Sequence, residues 1–257
     1  ANLTLGSNDQ DEGAYTVVLN GESAAQIIFE VPTFFATIQE AIDIAYSEDT
    51  VEVLPGTYEE SLDFLNKELV LRSTGGSEAT IIEGDGTGPV LTISGGQSNL
   101  TMVSGFTLIG GGGAEGGGIR IDSSSAPDVA DMNIAENDAD EGGGIYIGSS
   151  SPTMVNVTIQ NNDATGDGGG LMIRDNASPI LNYLTIAGNG SDDGGGIYVR
   201  DNSNPVFDHL TLAGNESSGN GGAIYTRTGS HPQLVNSIVW NNGEQAIYFS
   251  STGSASQ

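Results

Sequence analysis

The sequence has no cysteine and few basic residues, with six Lys and Arg against 34 Asp and Glu in 257 residues. The lack of cysteine excludes disulfides, thiolate metal sites and cysteine nucleophiles. The formal net charge of −28 disfavours nucleic acid and anionic membranes as partners, and it favours cations, neutral sugars or basic surfaces. No apolar run of about 18 residues occurs, so we expect no membrane insertion.

The beginning of the chain also shows no targeting pattern, because it opens at Ala1 without a basic segment followed by an apolar one. We therefore expect a mature or trimmed product. The absence of cysteine fits an extracellular protein of bacterial type. We expect an extracellular or cell-surface location.

Glycine, in contrast, is abundant and repeats in register. A phrase of three glycines and one apolar residue recurs four times and returns in a looser form as Gly221-Gly222-Ala223-Ile224. The residues that close the five phrases are Ile119, Ile145, Leu171, Ile197 and Ile224. This period of about 26 residues indicates a repeat fold.

Each repeat also carries a proline and, ten residues later, an asparagine. The asparagines are Asn137, Asn162, Asn189, Asn215 and Asn242. Short alternating runs between them, such as Val157-Thr158-Ile159, predict strands. A unit this short, with two or three strands and no room for a helix, predicts one coil of an all-β parallel β-helix, or solenoid. Stacked coils would align the asparagines, and we expect that column to form turns.

The glycine phrases and ends such as Ala213-Gly214-Asn215 resemble the GGA[ILV]/FxxN repeats of polymorphic outer-membrane adhesins. More broadly, residues 34–250 resemble the right-handed parallel β-helix proteins of the pectin-lyase-like superfamily. Residues 36–42 and 49–58 resemble the helix and first strand that open many such domains. The resemblance implies a right-handed fold but no single activity, since the superfamily includes lyases, hydrolases, adhesins and proteins of no known activity.

We divide the chain into an N-terminal extension, residues 1–33, and a β-helix domain, residues 34–257. Strand patterns at 15–19 and 26–31, separated by a turn at Asn20-Gly21, predict a hairpin that covers the first coil, and the tail of a preceding domain is the alternative. A capping helix is expected within 34–48, with Thr33 or Thr37 as its N-cap, and regular coils from about residue 116. A last strand at 246–249 precedes a polar tail. An open C-terminal end favours a fragment of a longer array, and self-association through that end is the alternative.

An acidic residue stands four positions before each of the first four closing apolar residues. This acidic column comprises Glu115, Glu141, Asp167 and Asp193. Stacking would place like charges about 5 Å apart, which costs about 1 kcal/mol for each neighbouring pair even in water. We predict that Ca²⁺ neutralises the column, because carboxylate and carbonyl oxygens are its preferred ligands. An acidic rim that only keeps the surface soluble is the alternative.

If Ile197 and Val199 face the core, then Tyr198 and Arg200 face outward. The same parity predicts a column of tyrosines beside a column of arginines. The predicted ligand-binding residues, here called the Tyr/Arg strip, are Tyr146, Arg174, Tyr198, Arg200, Tyr225 and Arg227. Aromatic rings suit sugar rings, and guanidinium groups suit uronate carboxylates. A stabilising tyrosine ladder with local arginine ion pairs is the alternative.

No catalytic residue is predicted. His209 and His231 have no partner that the sequence identifies, and near-identical coils offer no single asymmetric cleft. We therefore expect a secreted or cell-surface module for binding, adhesion or structure, which is calcium-stabilised and binds glycans or cell-surface proteins. The alternatives are a calcium-dependent polysaccharide lyase or other carbohydrate-active enzyme, and a subunit of an end-to-end stacked extracellular filament.

Overall fold

The computed structural model describes residues 2–5, 15–18, 26–227, 229–243 and 245–250. Three sheets of parallel strands run along a common axis, and successive coils add neighbouring strands to them. This is the all-β parallel β-helix that the repeat predicts. Its interior is one apolar column, which includes Ile119, Ile145, Leu171 and Ile197, each no more than 1% exposed.

The first sheet follows the glycine phrases and has eight strands. They are Leu62–Asp63, Leu91–Ser94, Ile119–Asp122, Ile145–Gly148, Leu171–Arg174, Ile197–Val199, Ile224–Arg227 and Ile247–Ser250. The glycine before each regular strand turns the chain tightly. Gly142 has a φ of 66°, and a Cβ there would lie 2.6 Å from the carbonyl oxygen of Ile145. Only glycine fits such a turn without displacing backbone.

The second sheet has 15 strands in two limbs. The first limb comprises Ile28–Val31, Thr50–Val53, Val70–Ser73, Met102–Ser104, Asp128–Ala135, Thr153–Gln160, Ile180–Asn182, Val206–Asp208 and Gln233–Val235. The second comprises Gly56–Glu59, Thr80–Glu83, Thr107–Ile109, Thr185–Ala187, Thr211–Ala213 and Ile238–Trp240. The two eight-residue strands, Asp128–Ala135 and Thr153–Gln160, belong to both limbs.

A residue with positive φ bends each regular coil between the two limbs. This bend column comprises Asp131, Asn156, Tyr183, His209 and Asn236, with φ values of 55°, 56°, 57°, 57° and 50°. Asp, Asn and His adopt such left-handed conformations more readily than bulkier residues do. The third sheet, of four short strands, closes the coil before the glycine phrase. Its strands are Asp138–Ala139, Asp163–Ala164, Gly190–Ser191 and Glu216–Ser217.

The single helix within the described ranges, Ile38–Ile44, packs against the first strands of the solenoid. Thr37 is its N-cap, and the Thr37 hydroxyl and the Glu40 carboxylate form a capping box. The helix buries Ile38, Ala41 and Ile42, as the predicted capping role requires. No helix in these ranges has the length and apolar character needed to cross a membrane.

The predicted pairing of the N-terminal hairpin is wrong. Strand Tyr15–Val18 pairs antiparallel with Asn2–Leu5, whereas Ile28–Val31 pairs in parallel with Thr50–Val53 of the solenoid. Phe29 is 3% exposed and belongs to the common core, so burial decided where this strand docks. The turn signal at residues 20–21 lies outside the described residues.

At the C-terminal end of the described solenoid, residues of the core columns remain exposed. Leu234, Ile247 and Phe249 are 36%, 40% and 71% exposed. They continue the columns of Phe207, Ile224 and Thr226. Beyond Ser250, the predicted polar tail lies outside the described residues.

The five recurring asparagines form a continuous buried ladder, each no more than 2% exposed. Asn189 illustrates the pattern. Its Oδ1 accepts from the backbone N–H and from Nδ2 of Asn162, at 2.9 and 3.0 Å. Its Nδ2 donates to Oδ1 of Asn215 at 2.9 Å and to the carbonyl oxygen of Ile159 at 3.1 Å. The asparagines are structural, since every amide links neighbouring coils, but they are not the left-handed residues of the turns. That conformation belongs to the residue before each of them, such as Gly188 with a φ of 65° before Asn189.

A second buried ladder, of serines, is interrupted once. The backbone N–H of Ser125 donates to the hydroxyl of Ser150 at 3.0 Å, and that of Ser203 donates to Ser230 at 3.1 Å. Ala177 occupies the position that follows Ser150 and is fully buried. Its methyl group accepts no hydrogen bond, so the column lacks one link at this coil.

The substitution Ala177→Ser should restore the missing link between neighbouring coils. A new hydroxyl that accepts from the N–H of Ser150 should raise the free energy of unfolding by about 1 kcal/mol. Urea denaturation of the variant and wild type measures the change. Ala187→Ser, on the partly exposed outer surface, is the control and should have no effect. Equal changes in both variants would contradict the interpretation.

Candidate functional site

The Tyr/Arg strip forms on the outer face of the first sheet, but its rings are buried. The register aligns Tyr146, Met172, Tyr198 and Tyr225 in one column, which forms an apolar cluster separate from the core. The three tyrosines are at most 6% exposed. Tyr198 and Tyr225 stack with centroids 4.7 Å apart and planes 4° apart. The ring faces therefore contact one another and leave little aromatic surface for a ligand.

The arginines lie beside the rings, and two of them hold one carboxylate. Nη1 of Arg174 donates to Oε2 of Glu141 at 3.0 Å, and Nη2 of Arg200 donates to Oε1 at 2.9 Å. The Arg200 guanidinium also lies 5.9 Å from the centroid of the Tyr198 ring. The predicted metal-ligating and ligand-binding residues thus meet in one network. The negative charge of Glu141 is therefore neutralised by two arginines of the chain itself.

The acidic column is stacked as predicted, but its two halves differ. Backbone bridges join Glu115 to Glu141 and Asp167 to Asp193. Glu115 pairs with Arg120 at 3.2 Å, so both glutamates have a basic partner. Burial and then the charge of Asp193 raise the pKa of Asp167, against the opposing effects of Arg200 and Arg227. The aspartate half is therefore the less well neutralised part of the column.

The geometry of the aspartate half does not form a calcium cage from side chains. Oδ1 of Asp193 accepts from the backbone N–H of Asn220 at 2.7 Å. In the part of the chain that the structure describes, no three His, Cys, Asp or Glu side chains form a metal-binding group. Calcium takes six to eight oxygen ligands, so backbone carbonyls or water would have to supply most of them.

Burial also shifts the pKa values of side chains in the Tyr/Arg strip. Desolvation and the charge of Glu115 raise the pKa of the Tyr146 hydroxyl far above its usual value. Desolvation raises the pKa of Tyr198 as well, although a hydrogen bond with Arg227 opposes the shift. Burial lowers the pKa of Arg174, but its anionic neighbours outweigh this effect and raise it. Proton abstraction by any of these groups at neutral pH is therefore disfavoured.

Two residues without a predicted role form an exposed aromatic pair. Tyr183 and His209, neighbours in the bend column, stack with centroids 4.7 Å apart. Nδ1 of His209 lies 2.9 Å from Oδ1 of Asp208. The sequence signal was a tyrosine in a column that carries Asp, Asn or His in the other coils, and only the alignment of coils makes it visible.

A family comparison places the strip within a known class of fold. A sequence model described as a right-handed β-helix region matches residues 91–257. The chain belongs to this right-handed β-helix family. The matched residues include the Tyr/Arg strip, the acidic column and the bend column.

The same right-handed β-helix is similar to a solved structure, that of an alginate lyase from Paenibacillus sp. str. FPU-7. The similarity has a TM-score of 0.38 and 14% sequence identity, and it covers 86% of this chain and 99% of that chain. No curated protein matches the sequence.

The raised pKa of Asp167 predicts a stabilising substitution. With a chelator present, Asp167→Asn should raise the free energy of unfolding at neutral pH by about 1 kcal/mol, since it removes a like-charge contact with Asp193. The raised pKa means that Asp167 takes up a proton more readily in the folded than in the unfolded protein. The difference in free energy of unfolding between Asp167→Asn and the wild type should therefore shrink as the pH falls towards 3.8, the ordinary pKa of an aspartate. Denaturation at several pH values measures both effects.

The control is Asp138→Asn, which removes one charge from an exposed position on the third sheet. This control measures how much the free energy of unfolding rises when any one negative charge is removed from this acidic protein. A gain in Asp138→Asn equal to that in Asp167→Asn would show that the local contact contributes nothing.

Proposed function

We propose that this right-handed β-helix is an extracellular or cell-surface binding module, and that it takes carboxylated glycans at the Arg227 end of the Tyr/Arg strip. The observation that carries the proposal is the exposure of the Arg227 side chain on an otherwise acidic protein. A side-chain hydrogen bond with the neighbouring Tyr198 raises the pKa of Arg227, so the guanidinium stays charged next to the column of rings.

The three arginines differ in what they offer a ligand. Arg174 and Arg200 direct donors to Glu141, so they shape the strip and have fewer donors to spare. Among the described residues no carboxylate lies within 4 Å of the Arg227 guanidinium, although the more distant charge of Asp167 contributes to its raised pKa. A guanidinium presents five donors in a planar fork, which matches a uronate carboxylate in two parallel hydrogen bonds. Arg227 is therefore the anchor of the proposed site.

The buried rings give the strip a different role from sugar stacking. Tyr225 contacts Tyr248 at a centroid distance of 5.0 Å, and Tyr248 is only half-buried. The column therefore opens towards its C-terminal end. The buried tyrosines lie beneath the arginine column, as at the contact of Arg200 with Tyr198, and a side chain that is already ordered pays less to bind. A carboxylate on a cell-surface protein presents the same chemistry.

The second candidate function is a polysaccharide lyase, and the raised pKa of Asp167 beside the arginines is the observation that favours it. A carboxyl group with a raised pKa near a substrate anchor is a candidate proton donor or acceptor. The raised pKa values of Tyr146 and Arg174 weigh against a base within the strip. Binding without chemistry therefore ranks first.

The filament alternative has less support. The helix Ile38–Ile44 packs on the first strands and buries its apolar face there. A second copy that stacked head to tail would have to displace this helix, because parallel strands continue only from an open edge.

The test uses immobilised polygalacturonate and alginate at an ionic strength of about 0.15 M, where the Debye length of about 8 Å screens distant carboxylates. We expect Arg227→Gln to weaken binding at least tenfold, and Arg72→Gln, which breaks an exposed ion pair with Glu52, to leave it unchanged. Absorbance of unsaturated uronate in the same samples would favour the lyase. Absence of binding by the wild type would contradict both.

Calcium remains a prediction, confined to Asp167 and Asp193. Excess chelator at fixed ionic strength should lower the unfolding temperature of the wild type by several degrees, and added Ca²⁺ should restore it. Asp193→Asn should lose this response, while the exposed control Asp138→Asn should keep it. An unfolding temperature that does not change when chelator is added would mean that these carboxylates bind no calcium and form a solvated rim.

A further inference from the structure

A shallow depression on the outer face of the second sheet lies on a different sheet from the strip. Its volume is about 330 Å³, near the lower limit of small-molecule sites. Amide and hydroxyl side chains dominate its lining, with Asn133, Asn156, Gln160, Thr107 and Thr158 among them. The surface thus offers many paired donors and acceptors and no basic group.

A chain of hydrogen bonds across successive coils fixes these amides. Nε2 of Gln160 donates to Oδ1 of Asn133 at 3.0 Å, and Nδ2 of Asn133 donates to the Thr107 hydroxyl at 3.3 Å. The Thr107 hydroxyl donates to the carbonyl oxygen of Ser77 at 2.7 Å. Each primary amide has two donor hydrogens and an acceptor oxygen, so these bonds leave capacity for a ligand.

An exposed aromatic side chain stands one coil after the last lining residues of the depression. Tyr183 follows Asn156 in the bend column, and its side chain is 58% exposed. His209 covers one face of the ring, so the opposite face is turned towards the coil of Asn156. The Asn156 side chain is short, and its Nδ2 donates to Asp131 at 2.6 Å in the coil before. The ring therefore lies one coil beyond Asn156, which is itself part of the depression's lining.

Tyr183 occupies its position at a conformational cost. Its φ of 57° is left-handed, a region that bulky residues seldom adopt and that Asn156 and Asn236 adopt in the same column. An asparagine would relieve this strain. Strained residues that persist where a cheaper residue fits cluster at functional sites.

We infer that the Tyr183 face and the amide-lined depression bind a neutral saccharide. An aromatic face takes the apolar face of a sugar ring, and fixed amides match hydroxyl groups that both donate and accept. Glu78 and Asp131 also line the depression, and with the net charge of −28 they disfavour uronates and sulfated sugars there. This site is independent of Arg227.

The experiment titrates the intact protein with a panel of neutral oligosaccharides of glucose, mannose, galactose and xylose, followed by calorimetry. We expect at least one class to bind with a millimolar Kd or tighter. Tyr183→Asn should weaken that binding at least tenfold, while its unfolding midpoint stays equal or rises because the strain is relieved. Gln160→Ala should weaken binding without disturbing the aromatic pair.

Two controls separate this site from the strip. Tyr46→Asn removes another exposed tyrosine, 74% exposed, and should bind like the wild type. Arg227→Gln should also keep neutral-sugar affinity, whatever its effect on uronans. Failure of every neutral oligosaccharide to bind, or unchanged affinity in Tyr183→Asn, overturns the inference. A lower unfolding midpoint with unchanged binding would give Tyr183 a structural role only.

Discussion

The buried asparagine ladder is the constraint on which the regular coils depend. Each of the first four amides joins its own coil to the coils before and after, and Asn242 joins the last of these coils to the one before it. An unsatisfied amide in this interior would cost several kcal/mol. Asn162 and Asn189 therefore fix the coils against slipping past one another. Strand register, the serine column and every outward column follow from that alignment.

On the outer surface, the alignment of coils brings identical side chains together whether or not they attract one another. Tyrosines gain from it, since Tyr198 and Tyr225 stack and bury each other's faces. Stacked carboxylates repel one another, and the two halves of the acidic column differ in how far this repulsion is offset. Arginines hold Glu141, whereas Asp167 keeps a raised pKa beside Asp193.

The candidate sites lie where a column changes its residue type. Arg227 ends the arginine column with an exposed guanidinium, and Tyr183 is the one tyrosine in the bend column of Asp, Asn and His. Their chemistry differs, since one presents a cation and the other an aromatic face beside neutral amides. A linear array of coils can thus carry separate binding surfaces on separate sheets, with little asymmetry in its backbone.

The sequence by itself determined the repeat, the coil, the core columns and the structural role of the asparagines, because a fixed period forces equivalent residues into one environment. It also predicted which tyrosines and arginines share a face. Only the tertiary structure decided that Arg200 reaches Glu141 two coils away, that the rings of Tyr146 and Tyr198 are buried, and that Ile28–Val31 joins the solenoid. Periodicity fixes the column in which a residue stands, whereas side-chain reach and competition for burial fix its partner.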